Sequence, residues 1–359
     1  MSRAGGAGPI PRWAPIVAVA AGAALGAVAE RAWSRRRLTE SPVLGEPSIP
    51  HGTEVRRVIA DDGQSLHVEI DTPAGWMPGD PTVVLVHGFA LDLTTFDHQR
   101  RALRGVARVV VYDHRGHGRS SLSPNGEAPG TGALTIERLG EDLATVIDSC
   151  AGEEMVLIGH SMGGMTIMAL AEAHPEWFGT SIRGTALLGT TAGAIATVTL
   201  GLPAPIARAA HGLTPLVGSV VERPWLSDLI TRLRDSGSDV ARILTRTYAF
   251  GDSAPTHGTD LVAHLLATTE LSVVADLLAD IGRHDRRAVL DVIARAPVLI
   301  MVGSVDRLTP AGHSRRMQKA MPAAELIVLD GVGHMLTLES PGPIDTALVD
   351  FVRSATVDQ

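Results

Sequence analysis

Cysteine is almost missing from this sequence: Cys150 is the only one in 359 residues. A single thiol excludes an internal disulfide and any metal site built from several thiolates. Lysine is equally scarce, since 30 of the 31 basic residues are arginines and only Lys319 is a lysine. In a chain this rich in Ala and Gly, that bias reads as coding composition and carries no functional weight. Aromatic residues make up 3%. Ala, Val and Leu fill the shortfall, so the apolar fraction is still 45%, enough for a sizeable core and too high for disorder. A net charge of −8 argues against a nucleic-acid partner. H-E-x-x-H, G-x-x-x-x-G-K-[ST] and a G-x-G-x-x-G followed by an acid are also missing. Metal, nucleotide and dinucleotide readings therefore have no support, and no cofactor is expected. Nothing in the sequence sets an oligomeric state.

Charge is unevenly spread. Residues 1–40 carry six arginines against two acids, a balance of +4 that leaves −12 for the rest. Within this basic leader Trp13–Ala29 is a run of 17 uncharged residues. As a helix it would span about 25 Å, slightly short of the roughly 30 Å hydrocarbon core. Three readings compete. A single-pass membrane anchor fits the run, the flanking Trp13 and Trp33, and the arginines at both ends. A cleaved signal peptide fits Ala27-Val28-Ala29, but Arg31 and Arg35–Arg37 follow at once and resist translocation. An Ala-rich tail is the third. The anchor accounts for most features and is the expectation, with the chain bound to the cell membrane through this helix. Four arginines after the run against two before it favour the body on the cytoplasmic side over export. Pro42, Gly45, Pro47 and Pro50 read as a linker.

From Glu54 onward, short β-rich runs alternate with helical patterns. Glu54–Ala60 and Ser65–Thr72 flank Asp61-Asp62-Gly63, a hairpin signal. Thr82–His87 is continuously apolar, as in a strand buried on both faces. Arg108–Asp113, Met155–His160, Gly184–Gly189, Val298–Gly303 and Leu326–Leu329 are similar. Helical patterns lie between them at Thr94–Leu103, Ile136–Cys150, Ser161–His174, His313–Ala320 and Ile344–Arg353. This alternation predicts an α/β fold: a mostly parallel, twisted sheet with helices on both faces. From about Ala192 to Leu290 the strands stop, and helical periodicity shows in Asp239–Tyr248, Asp260–Thr268 and Leu271–Ile281. Such a stretch is too long for a loop and predicts a helical cap inserted between two sheet strands. The expected organisation is an anchor and linker at 1–45, a core at 46–191, a cap at 192–290 and the rest of the core at 291–359.

Gly159-His160-Ser161-Met162-Gly163 is a G-x-S-x-G pentapeptide. It follows the strand-like run MVLI and opens a helical pattern, the strand–turn–helix setting a nucleophilic serine needs. The alternative for Ser161 is a helix N-cap. A serine nucleophile requires a base. Among the 14 histidines, His334 stands out in Gly331-Val332-Gly333-His334, directly after the last strand-like run. The base needs an acceptor to orient it. Asp306 lies in Gly303-Ser304-Val305-Asp306, also just past a strand, and the chain order Ser161, Asp306, His334 is Ser…Asp…His. Acyl transfer also needs two oxyanion donors: the backbone N–H of Met162, and that of Phe89 in the loop His87-Gly88-Phe89-Ala90. His87 itself is expected to be structural, and Asp113-His114-Arg115-Gly116-His117-Gly118-Arg119-Ser120 to be scaffolding. Met165 and Met168 read as core filler, Cys150 as a small buried hydrophobe, and His284-Asp285 as a solvated pair.

These motifs (HGFA, DHRGHGRS, GHSMGG, GSVDRLTP and GVGH, in that order) resemble the α/β-hydrolase superfamily over about Glu54–Arg353. The resemblance implies the α/β-hydrolase fold, with Ser161 as nucleophile, His334 as base, Asp306 as its orienter, and Phe89 and Met162 as oxyanion donors. The branches most resembled carry caps and include esterases, lipases, thioesterases, C–C hydrolases and cofactor-free haloperoxidases. Serine at position 161 departs from the dehalogenase and epoxide hydrolase branches, which use aspartate there. A basic, hydrophobic leader before such a domain is similar to membrane-linked hydrolases of high-GC actinobacteria. The leading expectation is a membrane-anchored serine hydrolase for a small-molecule or lipid-like ester or thioester with an apolar acyl group. A cofactor-free haloperoxidase or perhydrolase would use the same triad. A catalytically idle, membrane-tethered binding protein is the alternative outside enzymes.

Overall fold

A computed structural model of the chain describes residues 53–77, 79–120, 134–193, 239–252 and 254–356. The run Trp13–Ala29 and the linker after it lie outside the described residues, as do 194–238 of the expected cap. Eight strands form one sheet: β1 Glu54–Ile59, β2 Ser65–Asp71, β3 Thr82–Val86, β4 Arg108–Tyr112, β5 Met155–His160, β6 Ile182–Leu188, β7 Val298–Gly303 and β8 Glu325–Leu329. Their spatial order is β1-β2-β4-β3-β5-β6-β7-β8. The β1–β2 and β2–β4 pairs are antiparallel and every other pair is parallel.

Residue alternation explains why both faces of this sheet are covered. In β3 the side chains of Val84 and Val86 join Leu143, Ile147 and Leu170, from helices α2 (Ile136–Cys150) and α3 (Met162–Ala173). Val83 and Leu85, pointing the other way, join Leu103 of α1 (Asp97–Leu103) and Ile344, Leu348 and Val352 of α8 (Pro341–Thr356). All five residues of β3 are buried, as a parallel strand between two helical layers requires. Each large side chain so buried contributes about 1.5–3 kcal/mol. Met168 and Cys150 belong to the α2/α3 layer and are buried there. Met165 is also buried, in a separate cluster against the inserted helices.

Those helices lie between β6 and β7: α4 Asp239–Ala249, α5 Thr256–Thr268 and α6 Leu271–Arg283, with α5 and α6 bent 104° from each other. α7 (Ala311–Ala320) follows β7. Among the described residues no single helix is long and apolar enough to cross a membrane.

Strand order reverses at β3: β4 lies on one side of it and β5 on the other. Ligand crevices in open α/β sheets form at the carboxyl ends of strands at such a switch point. The loop after β3 and the turn after β5 are the segments that carry Phe89 and Ser161.

The elements depart from the sequence expectation mainly at their starts. α8 begins at Pro341, not Ile344, and α5 at Thr256, not Asp260. Proline, which marks a break inside a helix, is accommodated in the first turn, where the N–H has no partner to lose. β6 begins at Ile182, two residues before the glycine expected to open it, and its pairing with β5 shifts register between Met155 and Val156. The segment expected to be one helix over Thr94–Leu103 opens as a 3-10 turn, Leu93–Phe96. Asp92 caps that turn, accepting from Thr94 N at 3.0 Å.

Candidate active site

β5 runs straight into Ser161, whose backbone sits at φ 52° and ψ −116° before α3 begins at Met162. This is one of two positive-φ residues other than glycine among the described residues. The turn is held by Ser161 N donating to Leu188 O at 2.9 Å and by the Thr190 hydroxyl donating to Ser161 O at 2.7 Å. Both flanking glycines are required by close approach. A Cβ at Gly163 would lie 2.0 Å from Val86 O, and one at Gly159 would lie 2.7 Å from Gly163.

Asp306 and His334 come from the loops after β7 and β8. The structure brings them to Ser161 in one hydrogen-bonded row. Ser161 Oγ lies 2.9 Å from His334 Nε2, and His334 Nδ1 lies 2.9 Å from Asp306 Oδ2. With Ser161 donating to Nε2, the ring proton sits on Nδ1 and donates to Asp306. His334 and Asp306 are buried. Asp306 Oδ1 accepts from Leu308 N and Thr309 N, each at 2.8 Å. Burial alone would raise the Asp306 pKa. The neighbouring His334 and the hydrogen bonds from His334 and Thr309 outweigh it and hold the carboxyl below its ordinary range.

Phe89 and Met162 flank this row. Among the described residues neither backbone N–H donates to an internal acceptor. Gly88 approaches so closely that a Cβ there would be 3.2 Å from Ser161 Cβ. The loop is shaped from beneath by Asp113–Ser120. Ala90, at φ 51°, donates its N–H to His117 Nε2 at 3.1 Å, and Leu93 N donates to Asp113 Oδ1 at 2.9 Å. His87 donates from Nδ1 to Gly88 O at 2.8 Å and accepts at Nε2 from His114 N at 2.9 Å. Its ring is consumed by the backbone, as a structural residue's would be. Burial, reinforced by the other imidazoles, holds His87 well below its ordinary pKa, with His114 at about 3 and His117 at about 4.

Three contacts of this site have no role assigned to them by the sequence. Thr309 Oγ1 lies 2.8 Å from both Asp306 Oδ2 and Gly189 O. His160 donates from Nε2 to His334 O at 3.0 Å. Glu339 accepts from Gly333 N, beside His334. The Gly189 and His334 carbonyls come from distant segments, as does Gly251 N, which Glu339 also accepts from, and no local pattern announces that.

Two apolar clusters join the inserted helices to the site. On one side Val273, Leu277 and Ile281 of α6 pack with Phe89, Leu134, Met162 and Met165. On the other, Phe250, Val262 and Leu265 pack with Leu91, Met335 and Leu338. The base of the insertion corrects one expectation. His284 is buried, not solvated, and Asp285 alone is exposed, pairing with Arg287. His284 Nε2 donates to Thr191 O at 3.1 Å, and Nδ1 accepts from Arg286 at 3.1 Å. Arg286 also pairs with Glu137 and Glu172. The pair closes the ring of chain where the insertion leaves and re-enters the core, which explains its burial. Among the described residues no group of three or more His, Cys, Asp or Glu side chains could hold a metal ion.

A family model described as alpha/beta hydrolase fold matches residues 81–341. The chain therefore belongs to the α/β-hydrolase-fold family. It is similar to the dihydrolipoyllysine-residue acetyltransferase component of an acetoin cleaving system from Pseudomonas putida, at 27% identity over 278 residues. That match takes in 77% of this chain and 64% of the relative, so the chain spans under two thirds of that protein's length. It is 27% identical over 294 residues to 3-oxoadipate enol-lactonase 1 of Acinetobacter baylyi, 81% of this chain and 94% of the relative. A thermophilic esterase from Thermogutta terrifontis has the same fold, with a TM-score of 0.64 at 21% identity over 85% of this chain and 100% of the esterase.

Proposed function

We propose that the protein is a serine hydrolase that cleaves a carboxylic ester or thioester with an apolar acyl group. The observation that carries this reading is the Ser161–His334–Asp306 row, with spacings of 2.9 and 2.9 Å, beside two backbone N–H groups without internal acceptors. His334 Nε2 takes the Ser161 proton as Oγ bonds to the substrate carbonyl carbon. The resulting oxyanion accepts from Phe89 N–H and Met162 N–H. The imidazolium, stabilised by Asp306, then gives its proton to the departing alkoxide or thiolate, leaving acyl-Ser161. A water deprotonated by His334 attacks the acyl carbon, the free acid leaves, and the proton returns to Ser161. Relatives named as an enol-lactonase and an esterase support an ester-type bond. The apolar residues on both sides of Ser161 support an apolar acyl group. Purified full-length protein incubated with p-nitrophenyl esters of graded chain length and with acyl thioesters tests this. Hydrolysis that vanishes in Ser161→Ala is the expected result, and no turnover of either class contradicts it.

The reading extends to residues 1–45. Trp13–Ala29 acts as an uncleaved single-pass anchor, and residues of about 192–290 act as a cap over the site. The body then lies on the cytoplasmic side, where a lipid-like acyl substrate is within reach.

A further inference from the structure

The loop that carries His334 is clamped residue by residue. Gly333 N donates to the Glu339 carboxylate, with both oxygens at 3.1 Å. His334 O accepts from His160 Nε2. Met335 N donates to Ala249 O at 2.9 Å. The first and third of these involve the inserted helices, because Glu339 Oε2 also accepts from Gly251 N at 2.7 Å. Gly251 lies in the turn between α4 and α5, and Gly333 lies next to His334. Their backbones nearly touch: a Cβ on Gly333 would be 2.4 Å from Gly251 N, and one on Gly251 would be 2.2 Å from Gly331 O. Two N–H groups thus meet at a crossing where no ladder can pair them. Left unpaired, each would destabilise the crossing. One carboxylate at the end of the short helix Leu336–Glu339 accepts from both.

We propose that Glu339 is a positioning residue that ties the seating of the 249–251 turn to the placement of the His334 imidazole over Ser161. The inserted helices then do more than cover substrate: they hold the base in line. This rests on the reading of Ser161 and His334 as nucleophile and base. Glu339 touches neither the substrate nor the reacting atoms and acts only through the backbone of residues 333–335.

The test compares Glu339→Ala and Glu339→Gln with the wild type in the full-length protein. A Gln carbonyl placed at the Oε2 position can still accept from both N–H groups, whereas Ala accepts from neither. Glu339→Ala is expected to lower kcat, normalised to folded protein, on the order of 10²-fold, the scale of a small misplacement of a reacting group. KM should stay near wild type, and Ser161 labelling by a small fluorophosphonate should slow in proportion. Glu339→Gln should recover most of both losses, and Glu339→Leu, which fills the space without an acceptor, replaces the Ala variant if that fails to fold. Amide exchange, measured in parallel, should quicken at Gly251, Gly333 and Met335 in the Ala variant. Wild-type kcat in Glu339→Ala, a loss confined to KM, or unchanged exchange at those amides overturns the inference. Absence of Ser161 labelling in the wild-type protein would instead overturn the hydrolase reading, and the exchange data would still report on the clamp.

Discussion

Ser161 occupies a backbone conformation that L-residues avoid, at a cost of about 1–3 kcal/mol. The strain holds Oγ at the mouth of the turn, within 2.9 Å of His334 Nε2. Ser161→Ala should abolish fluorophosphonate labelling while keeping the strain. Ser161→Gly should abolish it too and melt higher than Ser161→Ala, because glycine accepts a positive φ freely, a gain of about 1 kcal/mol after its extra chain entropy. Equal melting temperatures would show that the turn is unstrained. Asp306→Asn keeps the shape of the loop but disfavours the Nδ1–H tautomer of His334, so kcat should fall on the order of 10⁴-fold. His334→Ala should be equally harmful and the double variant no worse, since residues acting as one unit do not lose additively. Additive losses in steady-state kinetics would show that the two work separately. Ser161, Asp306 and His334 were legible in the sequence because each sits in a short glycine-bounded motif directly after a strand. His160, Thr309 and Glu339 were not, since their partners are backbone atoms supplied by the fold. His284, expected to be solvated, is buried for the same reason: its acceptor is Thr191 O, 93 residues earlier in the chain.

Among the elements, β3 to β8 were foreseeable from continuous apolar runs, most clearly β3 and β7, where all residues are buried, and β1 and β2 from the hairpin signal between them. Helix starts were not, because Pro341 and Pro255 look like breakers until their place at a helix start is known. The strand–turn–helix around Ser161 tolerates no side chain at Gly163. Gly163→Ala would drive a Cβ to 2.0 Å from Val86 O. Backbone on both sides leaves no flexible atom to yield, so the variant should lose several kcal/mol or fail to fold; near-wild-type melting would contradict this crossing. If α6 and the Phe89–Met162 side wall the acyl group, kcat/KM should rise from acetate to longer esters, by up to about 0.8 kcal/mol per added methylene until the space fills. A flat or falling series would deny the insertion that role.

Among the described residues, burial lowers the pKa of six histidines, slightly for His313 and strongly for five others. Burial brings His114 and His160 to about 3, His117 and His284 to about 4, and leaves His87 well below its ordinary value. Unfolded, each would take a proton below a pH of about 6.5. The unfolded chain then binds more protons, so stability falls as pH drops from about 6.5 toward 4, by at most ~1.4 kcal/mol per pH unit for each group. Asp113 opposes this. Burial and the nearby Asp92 raise it to about 7, so it keeps its proton when folded and favours the folded state as pH falls. Asp92, Asp97, Asp142, Asp345 and Glu339, also raised by burial, act in the same sense nearer their ordinary range. Five imidazoles against one strongly raised carboxyl leave a net loss just below pH 6.5. Thermal melts between pH 7 and 4.5 should therefore fall steadily, and a melting temperature rising toward pH 5 would contradict the buried neutral state. For the leader, protease treatment of intact spheroplasts should spare the body; digestion from outside would reverse the proposed orientation.

We propose Ser161 as a nucleophile activated by His334. The most direct test is fluorophosphonate labelling of the full-length protein, followed by mass mapping of the modified peptide, in the wild type and in His334→Ala. One adduct, on Ser161, is expected in the wild type, with labelling slowed by orders of magnitude when His334 is removed. An adduct on another serine, or labelling of Ser161 at an unchanged rate without His334, would contradict it.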